Sequence, residues 1–141
     1  QEGPVYQAGT LSGNPVATQA GLATLQRLDQ NVYSHLDSMA EQVGSLVSEA
    51  LSREGVAHRW QRAGNLYAIL FTDTPVTNFD EAKAQDTQAF GRFFHALLDG
   101  GISLPPSAFE AWFVSAAHDD ADLEVLERAL PAAARAAATP Q

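Results

Sequence analysis

Eight apolar residues between positions 32 and 51 recur at intervals that bring them onto one face of a helix. They are Val32, Leu36, Met39, Val43, Leu46, Val47, Ala50 and Leu51. A helix with one apolar face is stable in water mainly when other elements cover that face. The chain is therefore predicted to fold around this helix in layers, and Gly55 marks the point where the helix ends.

The segments on either side of this helix predict one more helix and a pair of strands. Asn14 followed by Pro15 is typical of a helix start, because the asparagine side chain caps the first amides and proline has no amide to satisfy. Residues 56–61 and 66–71 are rich in β-branched and aromatic side chains. Their separation by a short Ala-Gly-Asn segment predicts a hairpin.

The rest of the chain predicts two helices and two short strands. One helix begins at Asn78 or Asp80 and carries a phenylalanine-rich stripe, and the final helix begins at Asp119 and is kinked or ended by Pro131. The strands are predicted at 102–104 and 113–117. This order predicts an α+β fold, with helices packed on one face of a small, mainly antiparallel sheet.

Charge and composition exclude several classes of function. The chain has 17 acidic and 8 basic residues, a balance that opposes binding to nucleic acids and anionic membranes. It has no cysteine for a disulfide or thiolate metal site, and its four histidines lack metal-ligand spacing. No apolar run approaches the roughly 20 residues of a membrane span. We expect no metal, nucleic-acid partner or membrane contact, and a cytoplasmic location.

The segment 5–15 is a candidate anion-binding loop. It combines glycines, hydroxyl side chains and backbone donors immediately before a helix, and such groups can bind phosphate oxygens. The segment contains no lysine or arginine, so a bound phosphate has to be neutralised mainly elsewhere. The residues alone favour an ordinary capped loop, and at most the loop completes a site formed by other parts.

A second candidate is Glu110, a single carboxylate among apolar residues after the Pro105-Pro106 turn. A carboxylate in this setting can bind a substrate ammonium. The alternative is a solvent-facing glutamate at the edge of a strand, which is the commoner situation for a charged residue.

Together these two segments resemble a known family. Residues 3–15, Gly-Pro-Val-Tyr-Gln-Ala-Gly-Thr-Leu-Ser-Gly-Asn-Pro, are similar to a loop late in glutamate-1-semialdehyde 2,1-aminomutases, pyridoxal-phosphate enzymes related to class III aminotransferases. Trp112 stands where the family commonly has glycine. Further segments recur in the same order as in that family, so the resemblance covers the whole chain: 71–73, 90–98, 104–111 and 115–118.

The resemblance implies the C-terminal small domain of a fold-type I pyridoxal-phosphate enzyme. Residues 1–30 correspond to a phosphate-contacting loop and a connecting helix from the cofactor-domain interface. Residues 31–141 correspond to the small α+β domain. The family implies a homodimer in which this loop reaches the cofactor held by the other subunit.

The resemblance also implies roles for individual residues. Gly9 and Thr10 match a pair that contacts the cofactor phosphate across the subunit interface. Tyr6 matches a tyrosine that lines the active site, and Glu110 matches a glutamate near the substrate pocket.

The implied reaction is the conversion of glutamate-1-semialdehyde to 5-aminolevulinate, the precursor of tetrapyrroles, with pyridoxal 5'-phosphate as cofactor. The family's Schiff-base lysine lies upstream of residue 1, and Lys83, the single lysine here, lies outside any matching motif. The chain alone is therefore expected to be inactive. Two alternatives stay open, a part of another class III aminotransferase and a stand-alone dimerisation module.

Overall fold

Five helices and one hairpin form the regular structure of a computed structural model that describes residues 3–5 and 8–139. The elements are α1 (Pro15–Leu25), α2 (Gln30–Arg53), β1 (Arg59–Ala63), β2 (Leu66–Leu70), α3 (Phe79–Lys83), α4 (Thr87–Asp99) and α5 (Asp120–Ala138). The chain divides into two compact units, one up to Ser34 and one from His35 onward.

Helix α1, in the first unit, begins as the sequence predicts. The Asn14 side-chain oxygen accepts hydrogen bonds from the amides of Val16 at 3.0 Å and Ala17 at 3.1 Å, and Pro15 is the first helical residue. None of its side chains is buried, although most of them are apolar. Within the described part of the first unit, α1 therefore contributes no hydrophobic core.

The second unit is built around the predicted apolar face of α2. Val47 and Leu51 on this face are fully buried, together with Ile69 of β2 and Phe93 and Leu97 of α4. Buried residues of α5 belong to the same core. The unit thus confirms the predicted α+β fold, in which helices pack against a small antiparallel sheet.

The hairpin is confirmed, but β1 begins three residues later and ends two residues later than predicted, so that it includes Ala63, and β2 ends one residue earlier. β1 and β2 pair antiparallel, with Trp60 opposite Ile69 and Ala63 opposite Leu66. Gly64 has a φ of 61°, a left-handed conformation that glycine adopts without a steric cost. Gly64 therefore permits the tight connection between the strands.

The prediction of one continuous helix after residue 78 is wrong, because two helices occupy this segment. Asn78 caps α3 by accepting from the Glu81 amide at 3.0 Å, and Asp86 caps α4 by accepting from the amides of Gln88 and Ala89. The Asp86 amide donates to the carbonyl of Phe71 at 2.9 Å. This contact takes the Asp86 amide out of a helical bond, so a second helix has to start.

The predicted strands at 102–104 and 113–117 are also wrong. The Ile102 amide donates to the carbonyl of Leu97 at 2.8 Å, which closes the end of α4. The Ser115 amide donates to Nδ1 of His118 at 2.9 Å. Both amides are therefore engaged locally, and within residues 3–5 and 8–139 the sheet contains only β1 and β2.

Helix α5 begins as predicted, with reciprocal capping between Asp119 and Asp122, but the prediction that Pro131 could end it is wrong. The helix continues through Pro131 to Ala138. A proline inside a helix costs about 3 kcal/mol, and burial of the apolar face of α5 against α4 opposes that cost. Arg92 of α4 also donates to the carbonyls of Ala136 and Ala137, each at 3.0 Å, which satisfies the end of the helix.

Candidate functional site

The first candidate site is the turn that leads into α1. The Gly9 carbonyl accepts from the Ser12 amide at 3.0 Å, and the Leu11 carbonyl accepts from the Asn14 amide at 3.0 Å. The Ser12 hydroxyl occupies the place that a side chain on Gly9 would take. Gly9 and Thr10 are both exposed. The turn thus presents its backbone and hydroxyl groups outward, just before a capped helix.

The donors of this turn fit an anion. Within the described residues, the amides of Thr10 and Leu11 donate to no protein acceptor, and exposed amides before a helix are suited to phosphate oxygens. The one basic residue of the first unit is Arg27, whose guanidinium donates to the carbonyl of Ala23 at 3.0 Å. The turn supplies hydrogen bonds, and the positive charge needed for a phosphate has to come from another part of the protein.

The second candidate site is the segment that carries Glu110, which is anchored at both ends. The Ala108 carbonyl accepts from Nε2 of Gln85 at 3.2 Å. The Trp112 amide donates to the carbonyl of Tyr67 at 2.7 Å, and the Tyr67 amide donates back at 3.4 Å. Ala108 and Trp112 are buried, whereas Glu110 is exposed. The fold therefore presents the carboxylate on a short exposed stretch between two fixed residues.

The backbone of this stretch forms a turn and not the edge of a strand. The Glu110 amide donates to the Ser107 carbonyl at 3.2 Å, and the Phe109 amide donates to the Ser107 hydroxyl at 3.2 Å. The exposure of Glu110 agrees with the commoner reading of a solvent-facing carboxylate.

A partly open cavity of about 460 Å³, with both apolar and polar lining residues, lies beside the Trp112 end of this segment. Its walls include Tyr67, Leu104, Trp112, Phe113 and His118. Burial raises the pKa of the Tyr67 hydroxyl to about 12. The phenol therefore stays protonated well beyond the pH at which an exposed tyrosine ionises.

No motif in the sequence indicates Gln85, the residue whose side chain donates to the Ala108 carbonyl. Its side chain is 5% exposed, and its Oε1 accepts from the Phe71 amide at 3.3 Å. In the sequence, Gln85 lies between Ala84 and Asp86, two residues after Lys83, in a stretch that resembles an exposed helix. No periodicity separates such a residue from a surface glutamine.

The predicted site residues occupy different parts of the chain. Gly9 and Thr10 belong to the first unit and Glu110 to the second, whereas Tyr6 lies outside the described residues. Lys83 is exposed, pairs with Asp80 at 2.7 Å and lies 5.3 Å from the centre of the Phe79 ring.

Among residues 3–5 and 8–139, no cluster of three histidine, aspartate or glutamate side chains is placed to hold a metal ion. None of the helices in the described part of the chain combines the length and apolar character needed to cross a membrane.

Comparison with known proteins identifies close relatives, although no family model matches the chain. The chain is 57% identical over 137 residues to a glutamate-1-semialdehyde 2,1-aminomutase of Propionibacterium freudenreichii subsp. freudenreichii. This match covers 97% of the chain and 31% of the relative. The chain thus spans about a third of the length of the curated relatives it matches.

Solved structures share the fold. An omega-transaminase from Sphaerobacter thermophilus is 26% identical with a TM-score of 0.74, over 94% of this chain and 30% of that one. A glutamate-1-semialdehyde-aminomutase from Pseudomonas aeruginosa PAO1 in complex with PMP is 23% identical with a TM-score of 0.77, over 94% of this chain and 30% of that one. The curated relative supports the resemblance seen in the sequence, and the solved structures confirm the fold.

Proposed function

We propose, from the premise that this chain belongs to the glutamate-1-semialdehyde 2,1-aminomutase family, that the whole protein converts glutamate-1-semialdehyde to 5-aminolevulinate for tetrapyrrole synthesis. The chain is the C-terminal part of such an enzyme. The observation that carries the proposal is the high identity to an aminomutase across nearly the whole chain. The exposed turn at Gly9 and the anchored segment at Glu110 support it, because they supply groups for a phosphate and an ammonium.

The cofactor of this reaction is pyridoxal 5'-phosphate, which supplies an electron sink for moving an amino group between adjacent carbons. Gly9 and Thr10 are proposed to hold its phosphate. Their fit rests on the exposed turn, the amide of Thr10 and its hydroxyl, which together offer several donors to phosphate oxygens. The chain's role at this end of the cofactor is to orient the phosphate through hydrogen bonds.

Glu110 is proposed to bind the ammonium group of the substrate. A carboxylate and an ammonium attract each other, and their hydrogen bond is roughly twice as strong as one between neutral groups. The fixed backbone at Ala108 and Trp112 lowers the entropy lost when the carboxylate is held in one place. Tyr6 is proposed, from the resemblance to the family, to line the active site of the whole protein.

The whole protein is proposed to act in the cytoplasm as a homodimer in which residues 1–30 belong to the cofactor-domain interface and residues 31–141 form the small domain. The turn at Gly9 has no basic side chain beside it in sequence, so the phosphate charge needs a partner elsewhere. A turn that completes a site on the other subunit meets this requirement. Since the family's Schiff-base lysine has no counterpart here, the chain alone is proposed not to turn over.

A second candidate is a class III aminotransferase activity, which the 26% identity to an omega-transaminase favours. An aminotransferase passes the amino group to a separate acceptor, whereas the aminomutase needs no second substrate. The two activities therefore differ in their requirement for an external keto acid or aldehyde.

The test is to supply the whole protein, loaded with pyridoxal 5'-phosphate, with glutamate-1-semialdehyde and no other amino donor or acceptor. We expect 5-aminolevulinate to form at a rate that an added keto acid does not increase. Consumption of glutamate-1-semialdehyde only when a keto acid is added, with the amino group recovered on the keto acid and no 5-aminolevulinate formed, would support the aminotransferase and overturn the aminomutase. The 141-residue chain in the same assay should form no product.

A further inference from the structure

We propose that Gln85 is a positioning residue for Glu110, acting through the carbonyl of Ala108. The inference rests on the proposed function, because it gives a consequence for substrate binding only if Glu110 contacts the substrate. It extends that function to a residue outside every segment that resembles the family motif.

Gln85 connects two parts of the backbone that are distant in sequence. Its Oε1 accepts from the amide of Phe71 at 3.3 Å, directly after β2. Its Nε2 donates to the carbonyl of Ala108 at 3.2 Å, at the start of the exposed stretch. The neighbouring Asp86 amide donates to the Phe71 carbonyl at 2.9 Å, which fixes the position of Gln85 relative to β2.

The chemistry of this link calls for an amide side chain. A buried amide and a buried carbonyl each need a partner, and glutamine provides one acceptor and one donor at the same site. Ala108 is followed by Phe109 and Glu110, and the Glu110 amide is bonded to Ser107 just before Ala108. Holding the Ala108 carbonyl therefore fixes the turn from which the Glu110 carboxylate projects.

Two substitutions of Gln85 distinguish its hydrogen bond with the Phe71 amide from its hydrogen bond with the Ala108 carbonyl. Gln85→Met has a similar volume and removes both hydrogen bonds, whereas Gln85→Glu keeps an acceptor for Phe71 and loses the donor to Ala108 when ionised. Asp86→Ala is the matched control, because it removes the cap of α4 without touching Ala108. It reports what destabilisation alone does to the same region.

The first measurement is hydrogen exchange at the Glu110 amide in the 141-residue chain. We expect Q85M and Q85E to accelerate this exchange about tenfold relative to D86A, because the turn loses its anchor. Equal rates in Q85M and D86A would overturn the inference. So would failure of both Gln85 variants to fold while D86A folds, since that result assigns Gln85 a purely structural role.

The second measurement is the KM and kcat of the whole, cofactor-loaded protein. We expect Q85M and Q85E to raise KM roughly tenfold with a smaller change in kcat, because a displaced carboxylate weakens substrate binding, and D86A to leave KM unchanged. The Glu110→Gln variant separates the claim that Glu110 binds the substrate from the claim that Gln85 positions Glu110. If E110Q raises KM and Q85M does not, the inference fails while the proposed function stands. An unchanged KM in E110Q overturns the role of Glu110 itself, whatever the exchange rates show.

Discussion

The indole of Trp60 packs directly over the α-carbon of Gly44, where helix α2 meets the hairpin. A Cβ atom at Gly44 would overlap three ring carbons of Trp60. The same indole contacts the ring of Tyr67 at 4.9 Å between centroids. Because Tyr67 pairs with Trp112, this contact connects α2 to the segment that carries Glu110.

The Gly44→Ala substitution should destabilise the second unit, because the new methyl group forces the indole away from α2. We expect the free energy of unfolding to fall by about 1–3 kcal/mol, measured by urea denaturation. Gly91→Ala is the control, since Gly91 lies in α4 with open space around its α-carbon. That change should be neutral or stabilising by up to about 1 kcal/mol. Equal stability of G44A and the wild type would show that the contact is not tight.

Replacing Thr10 by valine in the whole protein should weaken binding of pyridoxal 5'-phosphate. The substitution keeps the shape of the side chain and removes its hydroxyl, a donor to a phosphate oxygen worth about 1–3 kcal/mol. We expect the Kd of the cofactor to rise about tenfold in a fluorescence titration.

The control for this prediction is Thr24→Val. The Thr24 hydroxyl donates to the Ala20 carbonyl within α1, at 3.0 Å, and lies away from the turn. T24V should therefore bind the cofactor as the wild type does. Identical Kd values for T10V and T24V would contradict the role proposed for Thr10.

The sequence predicts helices and caps well where the signal is local. Asn14 and Asp119 cap the helices that their positions indicate, since such capping depends only on neighbouring residues. The continuation of α5 past Pro131 depends on packing against α4, and sequence alone does not report that packing. The strands predicted near Leu104 and Phe113 fail for the same reason, because strand pairing needs partners that the local pattern does not reveal.

The residues of the candidate site also fall into those that short sequence motifs indicate and those that only the fold reveals. Gly9, Thr10 and Glu110 stand out through short motifs, which are readable in order along the chain. Gln85 acts through contacts to Phe71 and Ala108, which are 14 and 23 residues away. A residue of this kind becomes visible only when the fold brings its partners together.

The raised pKa of Tyr67 predicts a loss of stability in alkaline solution. Folding keeps the phenol neutral, so the unfolded chain releases this proton first, near its ordinary value of 10.0, and the folded chain releases it near 12. The stabilisation is complete below pH 10 and is lost as the pH rises from 10 to 12. The total loss should be about 3 kcal/mol, because each pKa unit corresponds to about 1.4 kcal/mol.

This prediction is measured by urea unfolding of the wild type and Tyr67→Phe between pH 9 and 12. The wild type and Y67F differ by one titrating phenol, so the difference between their free energies of unfolding reports the ionisation of Tyr67. In Y67F, the free energy of unfolding should decline less steeply with rising pH. Tyr33→Phe is the control, because Tyr33 is 44% exposed. Parallel curves for Y67F and the wild type would show that burial does not hold the Tyr67 proton.

At acid pH, the carboxylate of Glu81 should contribute to the stability of the segment that begins α3. The Thr77 amide and hydroxyl donate to its Oε2 at 2.6 and 2.9 Å, and these bonds hold the pKa of Glu81 below its ordinary value. The contribution is present above the unfolded pKa and is lost as the pH falls through the folded pKa. Glu81→Gln should therefore flatten the acid part of the unfolding profile, measured by circular dichroism, whereas Glu49→Gln, at an exposed position of α2, should not. An unchanged profile in E81Q would mean that water replaces the Thr77 contacts without loss.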